Sequence, residues 1–306
     1  MAENFDLLVI LGATAGGKTA LAVQVARRLD AEIISADSRQ VYRGMDLGSG
    51  KDLAEYGEIP YHLIDIAEPG SEYNLFSFQR DCFTAIEQIR ERGKLPLLCG
   101  GTGMYLDAVL RGYRLIEVAE NPVLRSELAS LNDEQLRARL LRLKPQQHNR
   151  TDLDDRPRLI RAIEIATGEA TAPDLPPPPQ IHPLVFGLRW PRDILRQRIA
   201  TRLRQRIELG MIEEVERLHS TGVPWEALEF YGLEYRFIAQ YLQGKLARND
   251  MELKLRNAIG QFAKRQETFF RRMEKQGVII HWLDGDKDPC PLLLNQLERI
   301  YGRSSD

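Results

Sequence analysis

Residues 9–26 read VILGATAGGKTALAVQVA, an apolar run followed by a glycine-rich loop and a series of helix-forming residues. Gly12, Gly17, Lys18 and Thr19 complete the pattern G-x-x-x-x-G-K-T. Glycines at this spacing let successive backbone N–H groups point into one concavity, and the N-terminus of the following helix adds its positive dipole. Lys18 supplies a further positive charge, and a hydroxyl such as that of Thr19 can ligate Mg²⁺. The stretch therefore predicts a phosphate-binding loop, against the alternative of a tight turn that binds nothing.

The residues around this loop alternate between strand-like and helix-like stretches. Short apolar runs bounded by turns are typical of buried parallel strands, and longer runs with helical spacing are typical of the helices that cover them. The alternation predicts an α/β fold of the P-loop NTPase-like type, with a doubly wound parallel sheet. Ligands of such sheets bind beyond the carboxyl ends of the strands, so the loops that leave those ends are expected to meet. The strand-like runs are 5–11, 31–38, 61–66 and 94–101, and the loops are 12–19, 37–44 and 100–105.

The pattern changes near Gly112. Beyond it the chain shows helical stretches joined by polar turns, until the proline-rich segment PDLPPPPQIHP at 173–183, which suits a stiff linker. We therefore predict an all-helical insertion over 113–183. The α/β core is predicted to comprise 1–112 and 184–306, with a helical C-terminal part.

Composition restricts the class of protein. The 306 residues are 43% hydrophobic and carry a formal net charge of −2, so the chain can bury a large core, and any basic surface must be local. Cys82, Cys99 and Cys290 are far apart and show no metal-ligand spacing, which favours reduced buried thiols over disulfides or a zinc site. No segment reaches roughly 18 uninterrupted apolar residues, so we predict a cytoplasmic protein without a membrane span.

A second motif is SADSRQVYRGMDLGSGK at 35–51, which places Asp37 at the end of a strand beside the glycine-rich loop. This carboxylate could be a general base for a nucleophile that attacks a bound phosphate ester, or it could support a bound Mg²⁺. It could also cap a helix, alone or through Ser38. Arg39 and Tyr42 suit a surface that stacks on bases and contacts phosphates, although a solvated loop would have the same composition.

A third motif is CGGTGMYLDAVLRG at 99–112. Two glycines after a strand let the backbone come close to a ligand, and Thr102 could donate a hydrogen bond to a phosphate or to a base edge. An ordinary turn between a strand and a helix would explain the same residues.

Arginines recur along the helical stretch 192–208. Arg198, Arg202 and Arg206 are spaced four residues apart and so share one helix face. Such a stripe can bind a diphosphate or RNA phosphates. The other interpretation is a solvated helix face.

In this order, the motifs resemble the tRNA dimethylallyltransferases (tRNA isopentenyltransferases) of the bacterial type. GATAGGKT is similar to that family's GPTASGKT, and ISADSRQVYRGMDLGSGK to its ISxDSxQVYxGMDIGTAK. PLLCGGTGMY, LDDRPRLIRAIEI and QFAKRQETFFRR are similar to its PLLVGGTGLY, PNDxxRxxRALEV and RQxAKRQxTWxR blocks. The resemblance spans about residues 8–283, and the ordered set of blocks is specific.

The resemblance implies transfer of the dimethylallyl group from dimethylallyl diphosphate to N6 of the adenine 3′ of the tRNA anticodon, with release of diphosphate. Asp37 would be the general base, which accepts a proton from the exocyclic amine as the C–N bond forms. Lys18, Arg202 and Mg²⁺ held at Thr19 would stabilise the departing diphosphate. The adenine would leave the stack of the anticodon loop to reach this pocket.

The resemblance also implies two sets of binding residues. Those on the diphosphate side are Gly12, Thr14, Ala15, Gly16, Gly17, Lys18, Thr19 and Arg198. Those facing the anticodon stem-loop of tRNA are Asp37, Ser38, Arg39, Gln40, Thr102, Gly103, Arg125, Arg158, Arg161 and Arg236.

The chain departs from the family pattern at several positions. Gly16 stands where the family has serine, which removes a hydroxyl donor, and GSGKD replaces GTAKP at 48–52. EFYGLEYRFIAQYL at 229–242 replaces an Arg-x-x-Gly-Tyr-Arg-Gln block, with Arg236 as the candidate equivalent arginine. No Cys/His pair follows, so the zinc module of eukaryotic members is not expected.

Three other functions are considered. An adenylate isopentenyltransferase of the same superfamily would need neither the helical insertion nor the basic C-terminal region. A P-loop kinase of a small metabolite would need a Walker-B acid, for which Asp65 is the candidate. A non-catalytic RNA-binding protein would not need Lys18, Thr19 and Asp37. We expect a monomer, because no apolar helix stripe is left over.

Overall fold

The computed structural model describes residues 5–145, 155–171 and 177–301. The chain divides into two compact units. The larger one, here called the core unit, comprises Met1–Gly112 and Pro179–Asp306. The smaller one, here called the insertion, comprises Tyr113–Pro178.

One six-stranded sheet organises the core unit. Its strands are β1 (Leu7–Gly12), β2 (Ala31–Ala36), β3 (Tyr61–His62), β4 (Leu95–Gly100), β5 (Pro183–Arg189) and β6 (Ile280–Asp284). They lie in the order β3-β2-β4-β1-β5-β6, and every pairing is parallel. The predicted doubly wound parallel sheet is confirmed. Every residue of β1 and β2 is buried, as is typical of strands covered by helices on both faces.

Helices flank the sheet and form the rest of both units. The bounds are α1 (Lys18–Leu29), α2 (Leu75–Glu91), α3 (Gly103–Leu110), α4 (Pro122–Ala129), α5 (Asp133–Leu143), α6 (Arg156–Thr171), α7 (Arg192–Glu208), α8 (Met211–Ser220), α9 (Trp225–Phe230), α10 (Leu233–Leu242), α11 (Arg248–Lys275) and α12 (Pro289–Tyr301). Gly17, at φ 85°, is the N-cap residue of α1, so the helix begins directly at Lys18. Within the described ranges, none of these helices is both long and apolar enough to cross a bilayer.

Two apolar layers cover the two faces of the sheet. Successive side chains of a strand point to opposite faces. Leu8 and Ile10 of β1 accordingly pack in the cluster that contains α1 and α12, whereas Leu7, Val9 and Leu11 pack in the cluster that contains α2, α3 and α11. Burial of each such side chain stabilises the folded state by about 1.5–3 kcal/mol. A shift of β1 by one residue would exchange the side chains that face the two layers, so burial favours the observed alternation.

A third apolar cluster joins the helical C-terminal part to the segment that follows β2. Val41, Tyr42 and Met45 are buried among side chains of α7, α8, α10 and α11. This packing fixes the loop that carries Asp37 relative to the arginines of α7.

The described part of the insertion is helical. Leucines of α4, α5 and α6 form a separate small core. A capping box starts α5, in which Asn132 accepts from the N–H of Gln135 and the Gln135 side chain accepts from the N–H of Asn132. Of the linker predicted at 173–183, residues 173–176 lie outside the described residues, and Pro183 already begins β5.

Candidate active site

The glycine-rich loop joins the carboxyl end of β1 to the N-terminus of α1. Gly12 lies so close to β5 that a Cβ there would be 2.7 Å from the carbonyl oxygen of Leu188. Ala15 and Gly17 have φ angles of 59° and 85°, and left-handed residues of this kind turn neighbouring N–H groups inward. The first N–H groups of α1 have no intrahelical acceptor. The loop therefore has the backbone geometry of an anion cradle.

Two side chains brace this loop from outside. Trp190 donates from Nε1 to the carbonyl of Gly16 (2.8 Å), and Arg198 donates from Nε to the carbonyl of Ala15 (2.9 Å). The guanidinium of Arg198 also lies 4.1 Å above the ring of Trp190. A Cβ on Gly16 would lie 2.9 Å from the carbonyl oxygen of Ala13, so a serine at position 16 would require the loop to shift.

A cavity of about 600 Å³ opens beside the cradle. Residues 15–20 form one wall, and Arg198, Arg202 and Arg206 of α7 line it from the other side. The arginine stripe thus faces the cavity, and Arg206 is only 9% exposed. Of the two interpretations of the stripe, anion binding is favoured over a solvated face.

Lys18 lines the cavity and donates from Nζ to the carbonyl of Ala13 (2.8 Å). Burial lowers the pKa of this ammonium to about 8. The nearby guanidinium of Arg202 lowers the pKa further, whereas Cys99 and the carboxylate of Asp37 oppose the shift. Burial disfavours the charged form of Lys18, and a bound anion would stabilise that form and raise the pKa again.

Asp52 pairs with two arginines of the cavity wall. Its carboxylate accepts hydrogen bonds from Nη2 of Arg202 and, at 3.0 and 3.1 Å, from Nη2 of Arg206. The guanidinium of Arg206 packs directly on the backbone of Gly50. A Cβ at Gly50 would lie only 2.3 Å from Nη2 of Arg206, so a larger residue would clash there. One carboxylate therefore lies between two cations in the predicted diphosphate site. Neither Asp52 nor this pairing was predicted from the sequence.

Asp37 follows β2 directly. Its Oδ1 accepts a hydrogen bond from the N–H of Arg39 (2.9 Å), and its Oδ2 has no hydrogen-bond partner among the described residues. The carboxylate is half-buried and close enough to Lys18 to influence its pKa. One carboxylate oxygen is thus available for a ligand near the anion cradle.

The three loops predicted to meet at the sheet edge are linked by hydrogen bonds. The N–H of Ser38 donates to Oγ1 of Thr102 (3.1 Å). Gln266 of α11 connects the other pair of loops, because it accepts from the N–H of Thr14 and donates to the carbonyl of Gly101, both at 2.8 Å.

Gln266 was not predicted as a site residue, although it lies in the quoted block QFAKRQETFFRR. A signal was present in the helix periodicity. The buried residues of α11 recur every three or four positions, and all except Gln266 are apolar. A polar residue in an apolar stripe indicates a buried hydrogen-bonding role.

Two residues that the resemblance assigns to tRNA, Gln40 and Gly103, already make close contacts within the protein. Gln40 is 8% exposed, accepts from Oγ of Ser35 (2.8 Å) and donates to the carbonyl of Gly50 (3.0 Å). At Gly103 a Cβ would lie 2.4 Å from the ring of Phe269. The polar atoms of the Gln40 side chain are thus already bound within the protein, and the ring of Phe269 leaves no room for a side chain at Gly103.

Arg236 belongs to the segment 229–242 that departs from the family pattern, and half-buried Arg39 lies against Phe230 of the same segment. Arg236 is exposed and donates from Nε to the carbonyl of Glu229 (3.0 Å). The guanidinium of Arg39 lies 5.6 Å from the ring centroid of Phe230, which is 68% exposed. An exposed aromatic ring beside an arginine provides a flat cationic surface of the kind on which bases stack.

Two buried polar groups fasten the loop that follows Asp37. Glu214 accepts from the N–H groups of Asp46, Leu47 and Gly48 at 2.8–3.1 Å and from the hydroxyl of Tyr235. Both carboxylate oxygens therefore have partners, so the loop cannot move without the loss of several charge-assisted hydrogen bonds.

Lys51 is the second buried polar residue that holds the loop after Asp37 in place. Its side chain is 0% exposed, and Nζ donates to the carbonyl of Tyr42 and to the carboxylates of Asp46 and Asp65. Asp65, the Walker-B candidate of the kinase alternative, is used here and has a backbone φ of 55°.

The insertion contains three of the arginines assigned to tRNA. Arg125 and Arg161 both pair with Glu164, whose side chain is fully buried. Burial would raise the pKa of Glu164, but hydrogen bonds led by that from Arg125 lower it below its usual value. Arg158 is exposed, and its side chain forms no ion pair with the described residues. Of the three, Arg158 is the cation most available to a polyanion.

Magnesium can be tested against the donors that line the cavity. Among the described residues there is no group of three or more His, Cys, Asp and Glu side chains that could hold a metal ion. Mg²⁺ is often bound through one or two protein oxygens together with substrate phosphates and water. Thr19 places a hydroxyl oxygen on the cavity wall, so the site fits an ion that arrives with a phosphorylated ligand and its water molecules.

The family IPP transferase matches residues 40–273, and the family Isopentenyl transferase matches residues 5–58. The chain is similar to tRNA dimethylallyltransferase 1 from Geotalea daltonii, with 62% identity over 301 residues, 98% of each protein.

Solved structures agree with these matches. The tRNA isopentenylpyrophosphate transferase from Bacillus halodurans has a TM-score of 0.71 at 32% identity, over 98% of this chain and 97% of that one. A eukaryotic dimethylallyltransferase acting on tRNA has a TM-score of 0.75 at 23% identity, over 98% of this chain and 77% of that one. At that identity the second comparison concerns the fold alone.

Proposed function

The chain belongs to the IPP transferase family, and we propose that it transfers the dimethylallyl group of dimethylallyl diphosphate to N6 of the adenine 3′ of the anticodon in tRNA. This proposal rests on one observation. At one sheet edge, a positively charged anion-binding loop lies close to the half-buried carboxylate of Asp37. The first group suits a leaving diphosphate, and the second suits an attacking amine.

On the leaving side, the allylic C–O bond breaks and its electron pair stays on the diphosphate. The inward N–H groups of the loop, Lys18 and the guanidiniums of Arg198 and Arg202 stabilise the charge that develops there. The loop and Arg198 are held in position by the contacts at the carbonyls of Ala15 and Gly16, so they need little reorganisation as the bond breaks. A bound Mg²⁺ at Thr19 would add Lewis-acid stabilisation of the phosphate oxygens.

On the attacking side, the exocyclic amine of adenine is a weak nucleophile because its lone pair is delocalised into the ring. As the new C–N bond forms, the amine proton passes to Oδ2 of Asp37, while Oδ1 keeps its hydrogen bond to the N–H of Arg39. A base extruded from the anticodon loop could stack beside Arg39 and Phe230 at the surface.

The alternative of a small-molecule kinase is less well supported. Its Walker-B candidate, Asp65, is bound to the buried ammonium of Lys51, so it is not free to support a metal at the cradle. The proposed reaction needs no such acid, because Asp37 already follows β2 beside Lys18.

The function is tested with purified protein, dimethylallyl diphosphate and unmodified tRNA. We expect diphosphate release and a prenylated adenosine in the nucleoside mass spectrum of the tRNA. Transfer to free adenosine monophosphate without transfer to tRNA would favour an adenylate isopentenyltransferase. Hydrolysis of ATP or phosphate transfer, without prenyl transfer, would favour a kinase.

The pKa of Lys18 predicts a pH dependence. In the free protein Lys18 is charged below pH of about 8 and neutral above it, and only the charged form attracts diphosphate. The ratio kcat/KM for dimethylallyl diphosphate, which reports the free enzyme, is therefore expected to fall as pH rises through about 8. A profile that stays level up to pH 10 would contradict this assignment.

Two lysine-to-arginine variants test whether Lys18 causes the alkaline limb of the pH profile, that is, the fall in kcat/KM above about pH 8. Lys18→Arg keeps its charge at alkaline pH, so the fall in kcat/KM above about pH 8 should disappear even if the overall rate is lower. Lys94→Arg alters a half-buried lysine paired with exposed Asp30 and should leave the profile unchanged. An alkaline limb that persists in Lys18→Arg would assign it to another group.

The insertion is proposed to contact the tRNA through Arg158. Arg158→Gln should weaken tRNA binding and lower the slope of log K against log[salt] by about one, since one phosphate contact is lost. Arg161→Gln should lower the slope as well, but it also removes a partner of buried Glu164 and should reduce thermal stability. The measurements are filter binding at several salt concentrations and thermal unfolding. An unchanged slope in both variants would remove the insertion from the tRNA site.

A further inference from the structure

Asp52 places a negative charge on the wall of a cavity built for an anion. We propose that Asp52 is a positioning residue that acts as an exchangeable counterion of Arg202. In the free protein it holds Arg202 beside the cradle, and it releases this guanidinium to diphosphate when diphosphate binds. Asp52 thereby lowers the affinity of the site for diphosphate and favours release of this product. This inference rests on the proposed diphosphate site.

The two arginines that share Asp52 differ in freedom. The side chain of Arg206 is 11% exposed, and its guanidinium packs against the backbone of Gly50. The side chain of Arg202 is 32% exposed and is bound to Asp52 through one nitrogen. Arg206 is therefore a fixed anchor for the carboxylate, whereas Arg202 can turn toward a ligand.

The exchange leaves neither Arg202 nor Asp52 without a partner of opposite charge. A guanidinium has five N–H donors, so Arg202 can contact a phosphate oxygen while it leaves the carboxylate. When it leaves, Asp52 keeps Arg206 as its counterion and is not left as an unpaired buried charge, which would be costly. The carboxylate then stands beside the bound diphosphate and repels it.

The backbone at Asp52 offers a well-matched variant. Its φ is 46°, in the left-handed region that asparagine and aspartate tolerate better than most residues. Asp52→Asn keeps the shape and removes the charge. Glu55→Gln is the control, because Glu55 lines the same cavity but forms no ion pair with the described residues.

The experiment measures binding of inorganic diphosphate by calorimetry at fixed Mg²⁺, below the unfolding temperature of each variant. Asp52→Asn should bind diphosphate roughly tenfold more tightly than the wild type, on the scale of the coupling between neighbouring charged groups. The KM for dimethylallyl diphosphate should fall with it. Glu55→Gln should change binding by less than about threefold. In the Arg202→Gln background, the gain from Asp52→Asn should also fall below about threefold.

The outcomes separate this inference from the proposed function. If the wild type does not bind diphosphate, the diphosphate site itself is wrong. If the wild type binds but Asp52→Asn binds equally or more weakly, or Glu55→Gln gains as much, the counterion exchange is wrong.

A measurement on the wild type covers the case in which Asp52→Asn does not fold. Side-chain ¹⁵N resonances of arginine, assigned with Arg202→Gln, should show that diphosphate shifts Arg202 while Arg206 keeps its carboxylate partner. No shift of Arg202, or an equal shift of both arginines, would overturn the exchange.

Discussion

Asp37→Asn is expected to lower the single-turnover rate of prenyl transfer by about 10²–10⁴-fold, the range typical of the loss of a general base. The substitution keeps the oxygen that accepts from the N–H of Arg39, so the loop should retain its conformation. It removes the acceptor for the proton that the adenine amine must lose. The binding of tRNA should be almost unchanged, so the loss should lie in the rate and not in KM.

Ser38→Ala is the matched control for this prediction. Ser38 contacts Thr102 through its backbone N–H, which alanine keeps, so the rate should change by only a few-fold. Rates are measured with saturating tRNA and dimethylallyl diphosphate, and tRNA affinity by filter binding. An Asp37→Asn enzyme with near wild-type rate would reduce Asp37 to a residue that caps the turn at Arg39.

The parts of the fold that follow local rules were predictable from the sequence. The apolar runs, the glycine-rich loop and Asp37 after a strand each depend on a few consecutive residues, and parallel strands bring their carboxyl ends to one edge. These features predicted the sheet and the meeting of its loops. Residue types gave less reliable guidance on exposure. Gln40 and Arg161 look like surface residues in the sequence, yet their polar groups are used by Gly50 and by buried Glu164.

The remaining site depends on pairs far apart in the chain. Gln266 is separated from Thr14 by 252 positions, and Arg202 is separated from Asp52 by 150. No periodicity or short motif connects such residues, because their contact exists only after the helical C-terminal part has packed on the sheet. The polar residue in the apolar stripe of α11 indicated burial, but not which groups it would bridge.

The long-range contacts have a common effect on the loop that begins at Asp37. Its later residues are bound by Glu214, by Gln40 and by the arginines that share Asp52. Leu63 and Asp65, which lie on the neighbouring segment, have φ angles of 62° and 55°, a conformation that costs of order 1–3 kcal/mol per residue. The surrounding contacts must offset this strain, and the central one among them is Lys51.

Lys51→Met is therefore expected to reduce the free energy of unfolding by about 3 kcal/mol, the lower end for removal of one partner from a buried ion pair. The lower end applies because the carboxylates of Asp46 and Asp65 are 51% and 33% exposed and can be hydrated. The loss is measured by urea unfolding. Transfer activity should fall as well, because the segment held by Lys51 continues into the loop that positions Asp37.

Lys94→Met makes the same chemical change at an exposed ion pair. Lys94 contacts Asp30 at 2.8 Å, but that carboxylate is 79% exposed, so water screens the pair and it adds little to stability. Lys94→Met should therefore lower the free energy of unfolding far less than Lys51→Met does. Equal stability of the two would mean that the loop is held by its apolar cluster around Tyr42 and Met45. In that case the buried ammonium would add nothing to the placement of the Asp37 carboxylate.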